Sequence, residues 1–421
     1  MRVLIVNASE KTGGAAIAAL RLKEALTNNG VKAKMLVRRK SDKNLSVVEL
    51  PQSWRLKYNF LWERFRIWAG NGFSREHLFD IDTAMCGTNI TALPEYREAD
   101  VIHLHWVNQG FLSLRNISAI LQSGKPVVWT LHDMWPFTGI CHYAHDCERF
   151  KTGCHDCMLL QKPAKHDLSY RVFQAKDRIL QNSGVAFVAC SKWLAEEAES
   201  SYLLRGKKVA DIPNPIDIQL FRPQPKDKMR NECRLPLDKQ LILFSAYRTT
   251  LPIKGLDYLV DACRQYAEAH PESRDKLAIV AVGKDAQTLA ERFPYPVYPM
   301  GYVEDEKRMA SLYVACDAFV IPSLQDNLPN TIVEAMASGL PCIGFRVGGI
   351  PEMISHRATG YLAEPRNAED LKKGLEWVLC ECNYAEVSKA ARSYAVANYS
   401  EHNVAMKYIA IYNRLCDDHE K

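Results

Sequence analysis

Short apolar runs alternate along this chain with longer stretches whose apolar positions recur at helical spacing, and the alternation predicts parallel strands joined by helices. The run 2–7 is the first strand. Gly13 and Gly14 follow, then a helix whose Ile17, Leu20 and Leu26 share roughly one face until Asn28, Asn29 and Gly30 end it; 34–37 completes a βαβ unit. Further strands are expected at 100–106, 125–131, 185–190 and 209–212, and a second series at 241–246, 277–283, 297–301 and 318–321. Between the two series, Ile212 to Pro223 carries three prolines, which restrict the backbone as a linker requires. Past Glu352 the pattern turns helical, with Leu371, Leu375 and Val378 on one stripe and a last helix over 403–416.

The stretch from Asp317 to Glu352 concentrates the chemistry. Its apolar run 318–321 is stopped by Pro322 and Ser323, a polar loop with Asp326 and Asn327 follows, and a helix begins near Pro329. Gly339 lets the chain leave that helix, Pro341 prevents its restart, and another strand is expected beyond. Asp326 is thereby placed at the carboxyl end of a strand and Glu334 inside the next helix. Open α/β sheets bind ligands at that edge, and a helix start offers N–H groups to a phosphate. Two carboxylates there suit neutral hydroxyls, such as those of a ribose and a sugar ring, because they would repel a bare phosphate.

Other strand ends carry candidates for the same edge. Arg248 and Lys254 lie in the loop after 241–246, where a guanidinium fork and an ammonium suit a diphosphate; two solvated charges are the plain alternative. Gly13 and Gly14 allow close backbone approach to a ligand or simply make a tight turn. His105 stands at the end of one strand with Asn108 after it, and His132-Asp133 follows another, with His132 the stronger candidate. Cys141, Cys147, Cys154 and Cys157, with His142, His145 and His155 among them, have the density of a tetrahedral zinc site in a polar loop that lacks its own apolar core; free thiols and a redox disulfide share the expectation. A catalytic metal is disfavoured there, since four cysteines would leave no open position.

At 421 residues the chain is long enough for two domains, and its 47% hydrophobic content is ordinary for globular proteins. A formal charge of +5, without a long basic tract, gives no reason to expect nucleic acid as a partner. No cleavable leader pattern and no apolar run of membrane-spanning length is seen, so a cytoplasmic location is expected. The segment Trp54 to Trp68 combines aromatic and basic residues: Trp54, Tyr58, Leu61, Phe65 and Trp68 share a helical face, with Arg55, Lys57, Arg64 and Arg66 around it. Core packing is the expected use of such a stripe, and peripheral contact with the cytosolic face of the inner membrane is the alternative.

The frame P-S-L-Q-D-N-L-P-N-T-I-V-E-A-M-A-S-G-L-P, from Pro322 to Pro341, and the turn Gly348-Gly349-Ile350-Pro351-Glu352 resemble the retaining GT-B glycosyltransferases of family 4. That family has Glu where this chain has the shorter Asp326. The resemblance, strong over the second half and thinner over the first, implies two Rossmann-like doubly wound domains facing across a cleft. It implies an acceptor-side domain at 1–215, a nucleotide-sugar-binding domain at 216–395 and a final helix at 396–421 that crosses back. The implied activity is transfer of a sugar from a UDP- or GDP-type donor to a glycan or lipid-linked glycan, with retained configuration, in bacterial surface polysaccharide biosynthesis. Arg248 and Lys254 would hold the diphosphate, Glu334 the ribose, Asp326 the donor-sugar hydroxyls with amides near Asn327 and Leu328. His132, Gly13 and Gly14 would also border the donor, and His105 and Asn108 the acceptor. No cofactor is implied for catalysis, zinc at the cysteines being structural. A nucleotide-sugar epimerase and a non-catalytic nucleotide-sugar-binding protein are the alternatives.

Overall fold

A computed structural model describes residues 1–40, 45–51 and 54–420, and its contacts divide the chain into two units. The first unit holds Met1–Pro213 and the chain from Val404 onward; the second holds Asn214–Asn403.

In the first unit seven parallel strands form one sheet: β1 Arg2–Val6, β2 Lys32–Val37, β3 Val47–Glu49, β4 Val101–Leu104, β5 Val127–Leu131, β6 Ala186–Ala189 and β7 Val209–Asp211. Their order is β3-β2-β1-β4-β5-β6-β7, so the winding reverses between β1 and β4. Strands β4 and β5 are buried throughout, as expected for near-continuous apolar runs covered on both faces. One face is covered by the helix Gly14–Asn28 and the last helix, Glu401–Glu420. Val404, Ala405, Tyr408 and Tyr412 of that helix lie on one stripe and pack with Val3, Ile5, Val128 and Val188.

The second unit has six parallel strands: β8 Gln240–Ser245, β9 Leu277–Val282, β10 Val297–Gly301, β11 Ala318–Ile321, β12 Cys342–Phe345 and β13 Gly360–Ala363. Their order, β10-β9-β8-β11-β12-β13, reverses between β8 and β11. The passage Ile212 to Pro223 is ordered rather than loose on the second unit's side. There Asn214 Nδ2 donates to Asn330 Oδ1 at 3.0 Å, and Arg392 donates to the carbonyls of Ile218 and Phe221.

Two local expectations are corrected. In the helix Trp54–Gly70 the inward residues are Leu56, Glu63, Arg64 and Ile67, so the aromatic stripe faces outward. Arg64, expected on a basic rim, is buried and pairs with Asp82 at 2.8 Å. The cysteine-bearing loop also differs from a polar insertion. Ile140, Ala144, Phe150, Leu159 and Leu160 join the main apolar cluster of the first unit, so the loop is held by ordinary burial.

Candidate active site

In the second unit every assigned side chain sits at the carboxyl edge of the sheet, around the reversal between β8 and β11. Asp326 stands in the loop after β11, and its Oδ2 accepts from Lys254 Nζ at 2.7 Å; Lys254 ends the turn Pro252–Lys254 in the loop after β8. The two residues assigned to different parts of a ligand are thus in contact. Arg248, on the same loop, is exposed and makes no ion pair among the described residues. Glu334 lies in the second turn of the helix Asn330–Ala337, buried, with Oε2 accepting from Tyr313 OH at 2.8 Å. That helix starts at Pro329, which gives its first turn no side-chain cap. Asn327 and Leu328 are buried just ahead of it.

Three loops are locked together here by glycines that no other residue replaces. Gly255 has φ +68, and a Cβ on it would lie 1.8 Å from the Pro322 carbonyl oxygen. Gly348 has φ +54, and its Cβ would lie 1.9 Å from the carbonyl oxygen of Asp326. Gly349 N donates to that same oxygen at 3.3 Å, and Leu324 N donates to Ile253 O at 2.8 Å. The Gly-Gly-Ile-Pro-Glu turn therefore braces the Asp326 loop from one side and the Lys254 loop braces it from the other.

Residues missed from the sequence complete the frame. Asp285, after β9, accepts from Thr249 N at 2.7 Å and Thr249 Oγ1 at 2.8 Å, and from Thr250 N at 3.1 Å, tying down the loop that carries Arg248 and Lys254. Its carboxyl is held well below the usual range: burial alone would raise it, and the threonine hydrogen bonds outweigh burial. Tyr313, on the helix Glu306–Ala315, orients Glu334. The Gly283-Lys284-Asp285 turn after a strand was the available signal for Asp285; nothing local pointed to Tyr313.

In the first unit the histidines form a buried line. His105 Nδ1 and His132 Nε2 are 2.8 Å apart, and His132 Nδ1 lies 3.5 Å from Cys190 Sγ. Burial, opposed by Asp133, lowers His132 to about 4, and burial together with His103 and His132 lowers His105 well below its ordinary value, so both rings are neutral near pH 7. His103 Nδ1 is 2.7 Å from Tyr412 OH, which locks the last helix onto this sheet. Asp133 does not face the ligand edge freely: it accepts from Trp106 Nε1, His142 Nδ1 and Trp135 N at 2.8–2.9 Å. His105 Nε2 and Asn108 Nδ2 are buried without a hydrogen-bond partner among the described residues, so each has a donor or acceptor to offer. Gly13, at φ +92, starts the helix Gly14–Asn28, and both glycines are exposed.

The structure brings the four expected cysteines into one loop as free thiols. Cys154 is buried, with Sγ accepting from Gly139 N at 3.2 Å, and burial pushes Cys157 up to about 12. Lys176 is buried beside them, its Nζ donating to Thr138 O at 3.1 Å and lying 3.5 Å over the Trp135 ring; burial brings it down to about 7. Among the described residues no three His, Cys, Asp or Glu side chains are gathered as a set of metal ligands. Zinc therefore rests on the density of cysteines alone.

Known proteins match this arrangement along most of the chain. Residues 12–220 match the description Glycosyltransferase Family 4, and residues 239–381 match Glycosyl transferases group 1. An uncharacterized glycosyltransferase of Methanocaldococcus jannaschii is 26% identical over 341 residues, covering 77% of this chain and 85% of its own length. The putative colanic acid biosynthesis glycosyl transferase WcaC of Escherichia coli is 25% identical over 338 residues, covering 77% and 78%. Among solved structures, sucrose-phosphate synthase from Thermosynechococcus elongatus superposes with a TM-score of 0.67 at 18% identity, covering 98% of both chains. Anabaena HepE, solved in complex with UDP-glucose, does so at 0.64 and 16% identity, covering 98% of this chain and 100% of its own. With two doubly wound parallel sheets, the acid-bearing loop at the second reversal point and these matches, the chain belongs to the family 4, group 1 glycosyltransferases of GT-B fold.

Proposed function

We propose that this glycosyltransferase moves a sugar from a nucleotide-sugar donor to an acceptor hydroxyl with retained configuration, in the building of a surface polysaccharide. The observation that carries it is the meeting of Arg248, Lys254, Asp326 and Glu334 at one sheet edge beside an uncapped helix start. Lys254 and Arg248 hold the diphosphate and stabilise the charge that grows as it leaves. Glu334, buried and oriented by Tyr313, takes the ribose hydroxyls. Asp326 takes donor-sugar hydroxyls, its second oxygen remaining while Lys254 holds the first. The first unit's edge, with Gly13, Gly14, His105, Asn108 and His132, serves the acceptor and the sugar. The UDP-glucose bound by HepE on the same fold and the biosynthetic context of WcaC support donor and pathway class.

Calorimetric titration with UDP and GDP tests the donor half of this assignment. One of the two is expected to bind, with affinity lost in Glu334→Ala, and binding that is equal in the variant would remove Glu334 from the ribose. For the cysteine loop we propose structural zinc: stoichiometric metal in the purified protein is expected to disappear in Cys154→Ser/Cys157→Ser, and metal-free wild type would end the proposal.

A further inference from the structure

The helix Trp54–Gly70 is anchored from beneath and bare above. Beneath, Glu63 accepts from Thr83 N and Oγ1, each at 2.6 Å, from Ala84 N at 2.9 Å and from Met85 N at 3.1 Å, while Arg64 pairs with Asp82. Leu56 and Ile67 fill the apolar gap between these polar anchors. Above, Trp54 is 72% exposed, Leu61 64%, Tyr58 49% and Phe65 47%. Their rings continue into an unbroken ladder: Trp54 to Tyr58 at 6.1 Å, Tyr58 to Trp62 at 5.8 Å, Trp62 to Phe65 at 5.2 Å, Phe65 to Trp68 at 5.8 Å and Trp68 to the exposed Phe73 at 4.7 Å. Contiguous apolar surface of this kind on a soluble chain marks a place of contact.

The rim says what is contacted. At about 100° per residue, Lys57 falls on one side of the ladder and Arg55 and Arg66 on the other, all three exposed. Among residues 54–70 the only acidic side chain is the buried Glu63; the nearest exposed acids, Glu76 and Asp80, lie beyond the helix. We propose that this face lies in the interface of a membrane carrying anionic lipid headgroups, with the aromatic rings at the acyl boundary and Arg55, Lys57 and Arg66 on the phosphates. A helix of this composition lies in the plane rather than across it, and no described helix is long and apolar enough to cross a membrane. A second copy is the poorer occupant, because face-to-face pairing sets cation against cation along both rims. The inference is independent of which nucleotide sugar is used.

Cosedimentation of the full chain with vesicles of phosphatidylcholine, with and without phosphatidylglycerol, tests it. Binding is expected only with phosphatidylglycerol and is expected to weaken with salt. Replacing Arg55, Lys57 and Arg66 together by Glu should reduce vesicle affinity by a factor on the order of a hundred or more. Leu61→Asp/Phe65→Asp should abolish binding by removing the apolar half, while the same charge change at Lys32, Lys165 and Lys208 should matter little. All these positions are exposed, so the variants should keep the wild-type melting temperature and nucleotide binding. Wild-type protein that ignores anionic vesicles, or rim variants that bind as wild type, would overturn the proposal. So would a concentration-dependent dimer in sedimentation velocity that Leu61→Asp/Phe65→Asp dissolves while vesicles are ignored.

Discussion

Lys254→Ala is expected to lower turnover by a factor on the order of a hundred or more, with little change in fold, because in the proposed reading it removes a cation that stabilises the charge developing on the departing diphosphate. Arg248→Ala should act in the same direction. The two differ in what they leave behind. Arg248 is exposed and without an ion pair among the described residues, so in the proposed reading its loss costs only a diphosphate contact. Lys254 is bonded to Asp326 at 2.7 Å, and its removal also frees that carboxylate beside an anionic donor. Lys254→Ala should therefore weaken nucleotide binding more than Arg248→Ala does. Steady-state kinetics with calorimetry separates these terms; near-normal turnover in both variants removes the assignment. Asp326→Glu restores the acid usual in the family, but the longer side chain must fit beside Lys254, which bonds the present carboxylate.

Gly348→Ala is expected to be severely damaging although it removes no side chain assigned to the ligand. Its Cβ would lie 1.9 Å from the Asp326 carbonyl oxygen, which is backbone and cannot rotate away, so the Asp326 loop must shift. A displacement on the order of 1 Å at a positioned group costs roughly a hundredfold in rate. Gly124→Ala is the matching control: it shares a left-handed φ, +77, but a Cβ there meets nothing within 4 Å. It should cost about 1 kcal/mol of local strain and leave the rate unchanged. A Gly348→Ala enzyme with wild-type kcat/KM would show that the turn does not position Asp326.

The strands and the site were legible to different depths. Strands β4, β5, β9 and β11 were visible as apolar runs because parallel strands covered on both faces need unbroken hydrophobic sequence. Strands β3 and β13 were not, since Val47–Glu49 is three residues long and Gly360–Ala363 opens with glycine, so neither carries a period to read. At the site, the frame around Asp326 and Glu334 placed both acids at the carboxyl edge of a parallel sheet, where the structure has them. It did not disclose that Asp326 is paired with Lys254, because that bond joins residues 72 positions apart. Periodicity found the aromatic face of the helix at Trp54 but assigned it to the core, and the structure turns it outward. The inward face carries Glu63 and Arg64, and Asp82, Thr83, Ala84 and Met85, supplied from a later loop, make their burial tolerable.

The central claim is that this chain turns over a nucleotide sugar at the edge formed by Arg248, Lys254, Asp326 and Glu334. Its most direct test is release of nucleoside diphosphate from a panel of UDP- and GDP-linked sugars, followed for the wild type, Lys254→Ala and Glu334→Ala. Release from at least one donor, lost in both variants, is expected. Release that persists undiminished in both variants, or no release and no nucleotide binding by the wild type, would contradict it.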